Sequence, residues 1–149
     1  MRLTPNGFTL IELIIVMIIT GVLAVAALPR FFDQNTFNKR GFYDQSLSAL
    51  RYAQKSAIAQ RRDVCVTFTA HSLTLTIASA PDSPTCNTNL PNPAGGSPFS
   101  VKSTGNAGYA AKPTAFYYDA LGQASTGQSI AITGAGNIII EQETGYVHN

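Results

Sequence analysis

The sequence predicts an α+β protein: one long N-terminal helix packed on an antiparallel β-sheet of about five strands. Three observations predict it. An apolar run of 21 residues, Phe8 to Leu28, carries a single charge, Glu12. From Phe42 to Arg62 apolar residues recur every three to four positions with Arg and Lys between them, the period of a helix with one buried face. After Arg62 the period changes to two, the alternation of strands with one buried side.

The first element follows from the apolar run. At about 1.5 Å per residue it makes a helix of roughly 31 Å, enough to cross a bilayer core. A carboxylate at the centre of such a helix costs about 2.5–3.5 kcal/mol on insertion scales, and less near the end, where Glu12 sits. A chain that keeps this acid is expected to supply a partner for it. The short head before the run holds Arg2 and then Pro5, Asn6 and Gly7, so the positive end is expected to stay cytoplasmic while the rest crosses. A cut after Gly7 would make Phe8 the first residue. Its new ammonium would lie one turn from Glu12 and would pair with the Glu12 of a neighbouring chain, removing two unsatisfied charges together.

Gly21 and Pro29 mark weak points in this helix. Pro29 cannot donate to the carbonyl of Val25 and its ring crowds that turn; Gly21 lowers helix propensity by about 1 kcal/mol against Ala. A mild kink at the membrane exit is expected. Past Arg30 and Phe31-Phe32 the helix continues over residues 36–62, with Tyr43, Leu47, Leu50, Gln54, Ala57 and Ile58 as the expected inward stripe and Arg51, Lys55, Arg61 and Arg62 as its solvated side. A helix from Phe8 to about Arg61 would be roughly 80 Å long.

The sheet is expected over residues 63–149. Val64, Val66 and Phe68 alternate with Cys65, Thr67 and Thr69; Leu73, Leu75 and Ile77 alternate with Thr74 and Thr76; His71-Ser72 between them reads as a hairpin turn. A long loop rich in Pro, Asn, Ser, Thr and Gly runs from Ala80 to about Ala111. Strands resume at Thr114–Tyr118, then a turn at Asp119-Ala120-Leu121-Gly122. Ser129–Thr133 and Asn137–Gln142 flank Gly134-Ala135-Gly136 as a second hairpin, and a last strand lies at Tyr146-Val147.

Composition narrows the function. Charged residues are 12% of the chain, and the net charge of +2 hides an asymmetry. Residues 8–62 hold seven Lys/Arg against three acids, a balance of +4; residues 63–149 hold Lys102 and Lys112 against five acids, a balance of −3. A surface so poor in charge suits an exported, self-associating protein. The two cysteines, Cys65 and Cys86, are an even count in an exported chain, which points to one disulfide. These thiols with His71 and His148 supply no visible metal-ligand set, and no metal or other cofactor is expected. There is no G-x-S-x-G, no Walker loop and no H-E-x-x-H, so no enzyme is expected.

Gly7, then Phe8-Thr9-Leu10-Ile11-Glu12, then an apolar helix, resembles the type IV pilin and type II secretion pseudopilin superfamily. The resemblance implies a pilin-like fold and a leader of residues 1–7 removed by a membrane prepilin peptidase. It implies N-methylation of Phe8, a transmembrane and filament-core helix over residues 8–29, and a periplasmic head over 30–149. It implies that Glu12 directs insertion among other pilin or pseudopilin subunits at an inner-membrane assembly platform, and that the stretch between Gly21 and Pro29 loosens as subunits pack. Two other readings of the same residues exist. Ala24-Val25-Ala26 fits a secretory signal cleavage site, which would release a soluble domain; an uncut membrane anchor would leave Glu12 incidental.

Further along, Leu50-Arg51-Tyr52-Ala53-Gln54-Lys55-Ser56-Ala57-Ile58 before Val64-Cys65-Val66, and Phe116 to Gln123 with Glu143-Thr144-Gly145-Tyr146-Val147 at the end, resemble the H-type pseudopilin and FimT-like minor pilin group. The stretch Ala27-Leu28-Pro29-Arg30-Phe31 is similar to minor pilins of mannose-sensitive haemagglutinin type. This group implies a low-copy subunit that starts or caps a filament, either a type IV pilus or a secretion pseudopilus. A pilus-tip subunit binding DNA or a surface ligand is the alternative. Some FimT-like members bind DNA through a Gly-Arg segment near the C-terminus, but here that place reads Gly145-Tyr146-Val147-His148 and residues 63–149 are acidic overall, so nucleic acid is not an expected partner.

Overall fold

The computed structural model describes residues 8–81, 83 and 85–149, with residues 26–33 described as backbone only. Met1 to Gly7, the side chains of Pro29, Arg30, Phe31 and Phe32, and the loop residues Asp82 and Pro84 lie outside that description. The chain divides into a stem unit ending at Gln34 and a head unit, Asn35–Asn149.

The first element is a helix, α1, Leu10–Gln60, of 51 residues. Its backbone is helical through both Gly21 and Pro29. It ends on a left-handed residue, Arg61 at φ 50°, and the Arg62 amide donates to the Ala57 carbonyl at 3.2 Å. That six-to-one bond is the Schellman closure, in which a left-handed residue just past the helix turns the chain away and satisfies a free carbonyl.

Among the described residues eight strands follow: β1 Val64–Phe68, β2 Ser72–Ile77, β3 Thr88–Asn89, β4 Phe99–Lys102, β5 Phe116–Tyr118, β6 Gln128–Ile132, β7 Gly136–Ile140 and β8 Val147–His148. They form two antiparallel sheets where the sequence predicts one sheet of about five strands. In the first, β1 lies between β2 and β5, and the far edge of β2 is shared by β3 and β4. The second has the order β6-β7-β8. The two expected hairpins are both present. β1 and β2 pair from Val64↔Ile77 to Phe68↔Leu73; β6 and β7 pair from Gln128↔Ile140 to Ile132↔Gly136. The extra strands, β3 and β4, lie inside the stretch read as a loop. They are short, and their pairing with β2 supplies an order that local composition does not encode.

The inward face of α1 in the head differs from the expected stripe. Phe42, Ser46, Ala49, Leu50, Ala53, Ser56 and Ala57 are the buried positions, while Tyr43 and Leu47 are half-buried and Ile58 is exposed. The four-residue spacing of Ala49, Ala53 and Ala57 gives the reason. The small side chains leave room for Phe42 and Leu50 to be buried on the same face, and Tyr43, Leu47 and Tyr52 are partly buried against the same core.

A chain of rings joins helix and sheets. Phe42 and Phe68 both contact Tyr109, at centroid distances of 5.0 and 5.5 Å; Phe68 stacks on Phe116, which meets Tyr118 edge-on at 5.1 Å. Tyr109 also forms a β-bridge with Ile132 and lies 3.4 Å from the Ser46 hydroxyl. Burial pushes its phenol up to about 12, and pushes that of fully buried Tyr118 higher still. Cys65 on β1 and Cys86 are joined in a disulfide with Cα atoms 5.9 Å apart, which ties the Pro-rich segment to the first sheet.

Side chains on α1 fasten the rest of the head. Tyr43 donates to the carbonyl of Asn137, Arg51 Nε to that of Val147 at 3.1 Å, and Gln54 Nε2 to those of Gly122 and Thr144 at 3.2 and 2.8 Å. Arg51, on the expected solvated side, is exposed and in addition bonds a backbone acceptor in the last strand.

Candidate assembly site

The start of α1 is set by its own sequence. Thr9 stands just before the first helical residue, Leu10; its hydroxyl accepts the Glu12 amide at 3.3 Å, and its carbonyl accepts the Leu13 amide at 3.3 Å. Thr9 is thus the N-cap and Glu12 the third helical residue, the Thr-x-x-Glu spacing of a capping box. The Glu12 carboxylate accordingly lies in the first turn, at the positive end of the helix dipole. The sequence reading fixed on the acid and passed over the cap. The signal that finds it is that three-residue spacing, visible in Thr9-Leu10-Ile11-Glu12.

Beyond the cap the helix is apolar all round. Phe8 is 82% exposed and Leu10 78%. Ile11, Leu13, Ile14, Ile15, Val16, Met17, Ile18, Ile19, Val22, Leu23 and Val25 are all exposed too. A helix apolar on every face belongs inside something: a core, a lipid layer or a bundle of like helices. The polar side chains in this stretch behave differently from one another. Thr20 donates its hydroxyl back to the carbonyls of Val16 and Met17 at 2.8 and 3.1 Å, so it is satisfied within its own helix. The Glu12 carboxylate meets no partner among the described residues.

Among the described residues no helix is long and apolar enough to cross a membrane. The apolar part of α1 whose side chains are described, Leu10 to Val25, is about 24 Å long, against a hydrocarbon core of about 30 Å. Ala26, Ala27 and Leu28, which complete the run, are described as backbone only. Gly7, the residue before the expected cut, lies outside the described residues. Gly21 has open space where a side chain would stand.

The structure thus places Phe8, Thr9 and Glu12 together at the tip of the apolar helix. Cys65 and Cys86 lie in the head and play no part there. Residues 4–28 match the model of the prokaryotic N-terminal methylation motif. Over 92 residues the chain is 34% identical to the type IV narrow pilus major component PilA5 of Thermus thermophilus, covering 62% of this chain and 63% of that one.

Over its N-terminal part the chain is similar to type IV pilins.

It is also 44% identical over 62 residues to the type IV major pilin protein PilA of Myxococcus xanthus, which is 40% of this chain and 28% of that pilin. It is 39% identical over 59 residues to a fimbrial protein of Pseudomonas aeruginosa, 40% of this chain and 38% of the other. The chain therefore spans less than two thirds of the length of each of these pilins. No solved structure matches it. The helix-on-sheet arrangement agrees with a pilin fold, built on α1 with two antiparallel sheets.

Proposed function

We propose that this chain is a structural subunit of a type IV pilus or of a type II secretion pseudopilus. The observation that carries the reading is a capped helix start, apolar on every side from Leu10 to Val25, where the one acid, Glu12, has no partner among the described residues. In this reading a prepilin peptidase cuts after Gly7 and methylates Phe8. Residues 8–29 hold the subunit in the inner membrane with the head in the periplasm, and at the assembly platform the same helix leaves lipid for a bundle of like helices. Glu12 then pairs with the Phe8 ammonium of the next subunit. Apolar contact supplies most of the affinity and the charge pair fixes the register, because a pair of this kind repays its own desolvation without much surplus. The helical backbone through Gly21 and Pro29 is the stretch that would loosen on packing, since Pro29 withholds one bond of the ladder.

Within this class we place the chain among the low-copy subunits that start or cap a filament. The support is the likeness of its head segments, from Leu50 to Val66 and from Phe116 to Val147, to minor pilins and H-type pseudopilins. The matched relatives from Thermus and Myxococcus carry names of major pilins, so copy number is the discriminating quantity. Sheared filaments digested and quantified by mass spectrometry should contain this chain far below the main subunit; equal amounts would make it a major pilin.

The processing step has its own test. Intact mass of the exported protein should correspond to a chain starting at Phe8 and carrying one methyl group, and Gly7→Arg should leave the leader attached. An N-terminus beyond Ala26 would remove the helix and with it this function.

A further inference from the structure

A groove of about 340 Å³ lies in the head between α1 and β4, lined by Asp44, Gln45 and Ser48 of the helix, Asn92, and Phe99 and Ser100 of the strand. A second hollow of about 170 Å³ shares Gln45 and continues past Asn38 and Phe37 on α1 and past Lys102 and Thr104. From Ser48 to Phe37 the seam follows eleven residues of helix, about 16 Å.

The chemistry along the seam is specific. The side chains of Asp44, Gln45 and Ser48 form no hydrogen bond among the described residues, so a carboxylate, an amide and a hydroxyl on one face of α1 are all unspent. Across from them Asn92 uses its Oδ1 to accept the Ala94 amide at 2.9 Å. The Asn92 backbone closes the loop to Gly96 at 3.0 Å, which fixes the side-chain amide in place. The Phe99 ring is held edge-on by Tyr52 at 5.4 Å, its amide donates to Leu90 at 2.7 Å, and Tyr52 is itself anchored on the Pro91 carbonyl. At the other end the Phe37 ring is 79% exposed. The wall is therefore preformed, with an aromatic face at each end and a carboxylate, amides and a hydroxyl between.

We propose that this seam binds a short neutral oligosaccharide. Vicinal hydroxyls are paired donors and acceptors that match a carboxylate and side-chain amides, and the apolar C–H face of a sugar ring covers an aromatic side chain. The seam has one ammonium, Lys102, at one end and one carboxylate, Asp44, at the other. It therefore lacks the cationic cluster that a phosphate or nucleic acid requires, and an acyl chain would leave the Asp44 carboxylate and the Gln45 and Asn92 amides on its wall without partners. Its length favours a chain of a few rings over a single one. This inference concerns the head and is independent of how the stem assembles.

The test uses the full mature chain in a phosphocholine detergent, which has no sugar headgroup, titrated calorimetrically with maltotriose, cellotriose and mannotriose. At least one should bind saturably and more tightly than its monosaccharide. Asp44→Ala and Gln45→Ala should each weaken it by about tenfold or more, the scale of one or two lost hydrogen bonds to a charged or amide group. Lys112→Ala, outside the seam, should leave it unchanged. Both seam variants should melt with the wild type, since neither side chain is used within the fold. Absence of saturable binding by all three sugars, equal binding in the two seam variants, or saturable binding of a tripeptide such as triglycine in their place would overturn the proposal.

Discussion

Gly145 lies against the carbonyl of Gly122, closer than any side chain at position 145 would permit. The two glycines belong to different turns, one after β5 and one before β8, and both have positive φ, 86° at Gly122 and 62° at Gly145. Gln54 of α1 donates to Gly122 and to Thr144 beside Gly145, so one amide fastens both turns to the helix. The turn at Gly122 is further shaped by Asp119, whose carboxylate accepts the amides of Leu121 and Gln123 at 2.9 and 2.8 Å.

Gly145→Ala should therefore be among the most damaging single-methyl changes in the head. The added carbon meets backbone, which cannot swing aside, and the left-handed conformation adds its own strain. A loss of about 2–4 kcal/mol is expected, seen as a fall in melting temperature on the order of 10 °C. Gly41→Ala is the matched control. It sits inside α1 with nothing within 4 Å of the new carbon, and should stabilise the protein by about 0.5–1 kcal/mol. An unchanged melting temperature for Gly145→Ala would mean that the two turns can part without cost.

Glu12→Ala should separate folding from assembly. The head makes no use of Glu12, and its backbone amide would still be held by Thr9, so the variant should accumulate in the membrane fraction at the wild-type level. Incorporation into sheared filaments should drop several-fold because the Phe8 ammonium loses its counter-charge. Wild-type incorporation would show that the pairing does not direct assembly.

Cys65→Ser with Cys86→Ser removes a link spanning 21 positions. Closing a loop of this size contributes about 3 kcal/mol in the chain-entropy model. The double variant should show that loss in a urea titration of the head, with increased proteolysis between Ala80 and Leu90. Identical urea midpoints for variant and wild type would assign the bond no part in stability.

His148 gives the head a weak pH dependence. Its ring nitrogen lies 3.2 Å from the Glu141 carboxylate and stacks on Tyr146. The hydrogen bond to Glu141, helped by that to the Asn149 carbonyl, raises its pKa above the usual 6.5. A pKa raised on folding means a contribution present in full below the unfolded value and lost as pH climbs through the folded one. Stability measured from pH 6 to 8 should thus fall slightly more in the wild type than in His148→Gln. The ring is partly exposed to solvent, so the difference should shrink in high salt; a salt-independent difference would point to another group.

How much of this was legible without the fold depends on the range of the interaction involved. The apolar run, the switch of period after Arg62 and the hairpins β1–β2 and β6–β7 are written in neighbouring residues, and so is the Thr9–Glu12 cap. Hydrophobic spacing and turn chemistry act over a few positions, and a chain shows them directly.

Tertiary structure alone decided the rest. Of the expected inward stripe Leu50 and Ala57 are buried and Tyr43 and Leu47 partly so, but Ile58 is exposed and the centre of the face is shifted toward Ser46, Ala49 and Ala53. Division into two sheets, the acceptor for Arg51 at Val147, 96 positions away, and the meeting of Gly122 with Gly145 all depend on partners remote in sequence. Local pattern tells what a residue prefers; only the closed chain determines which distant group stands close enough to satisfy it.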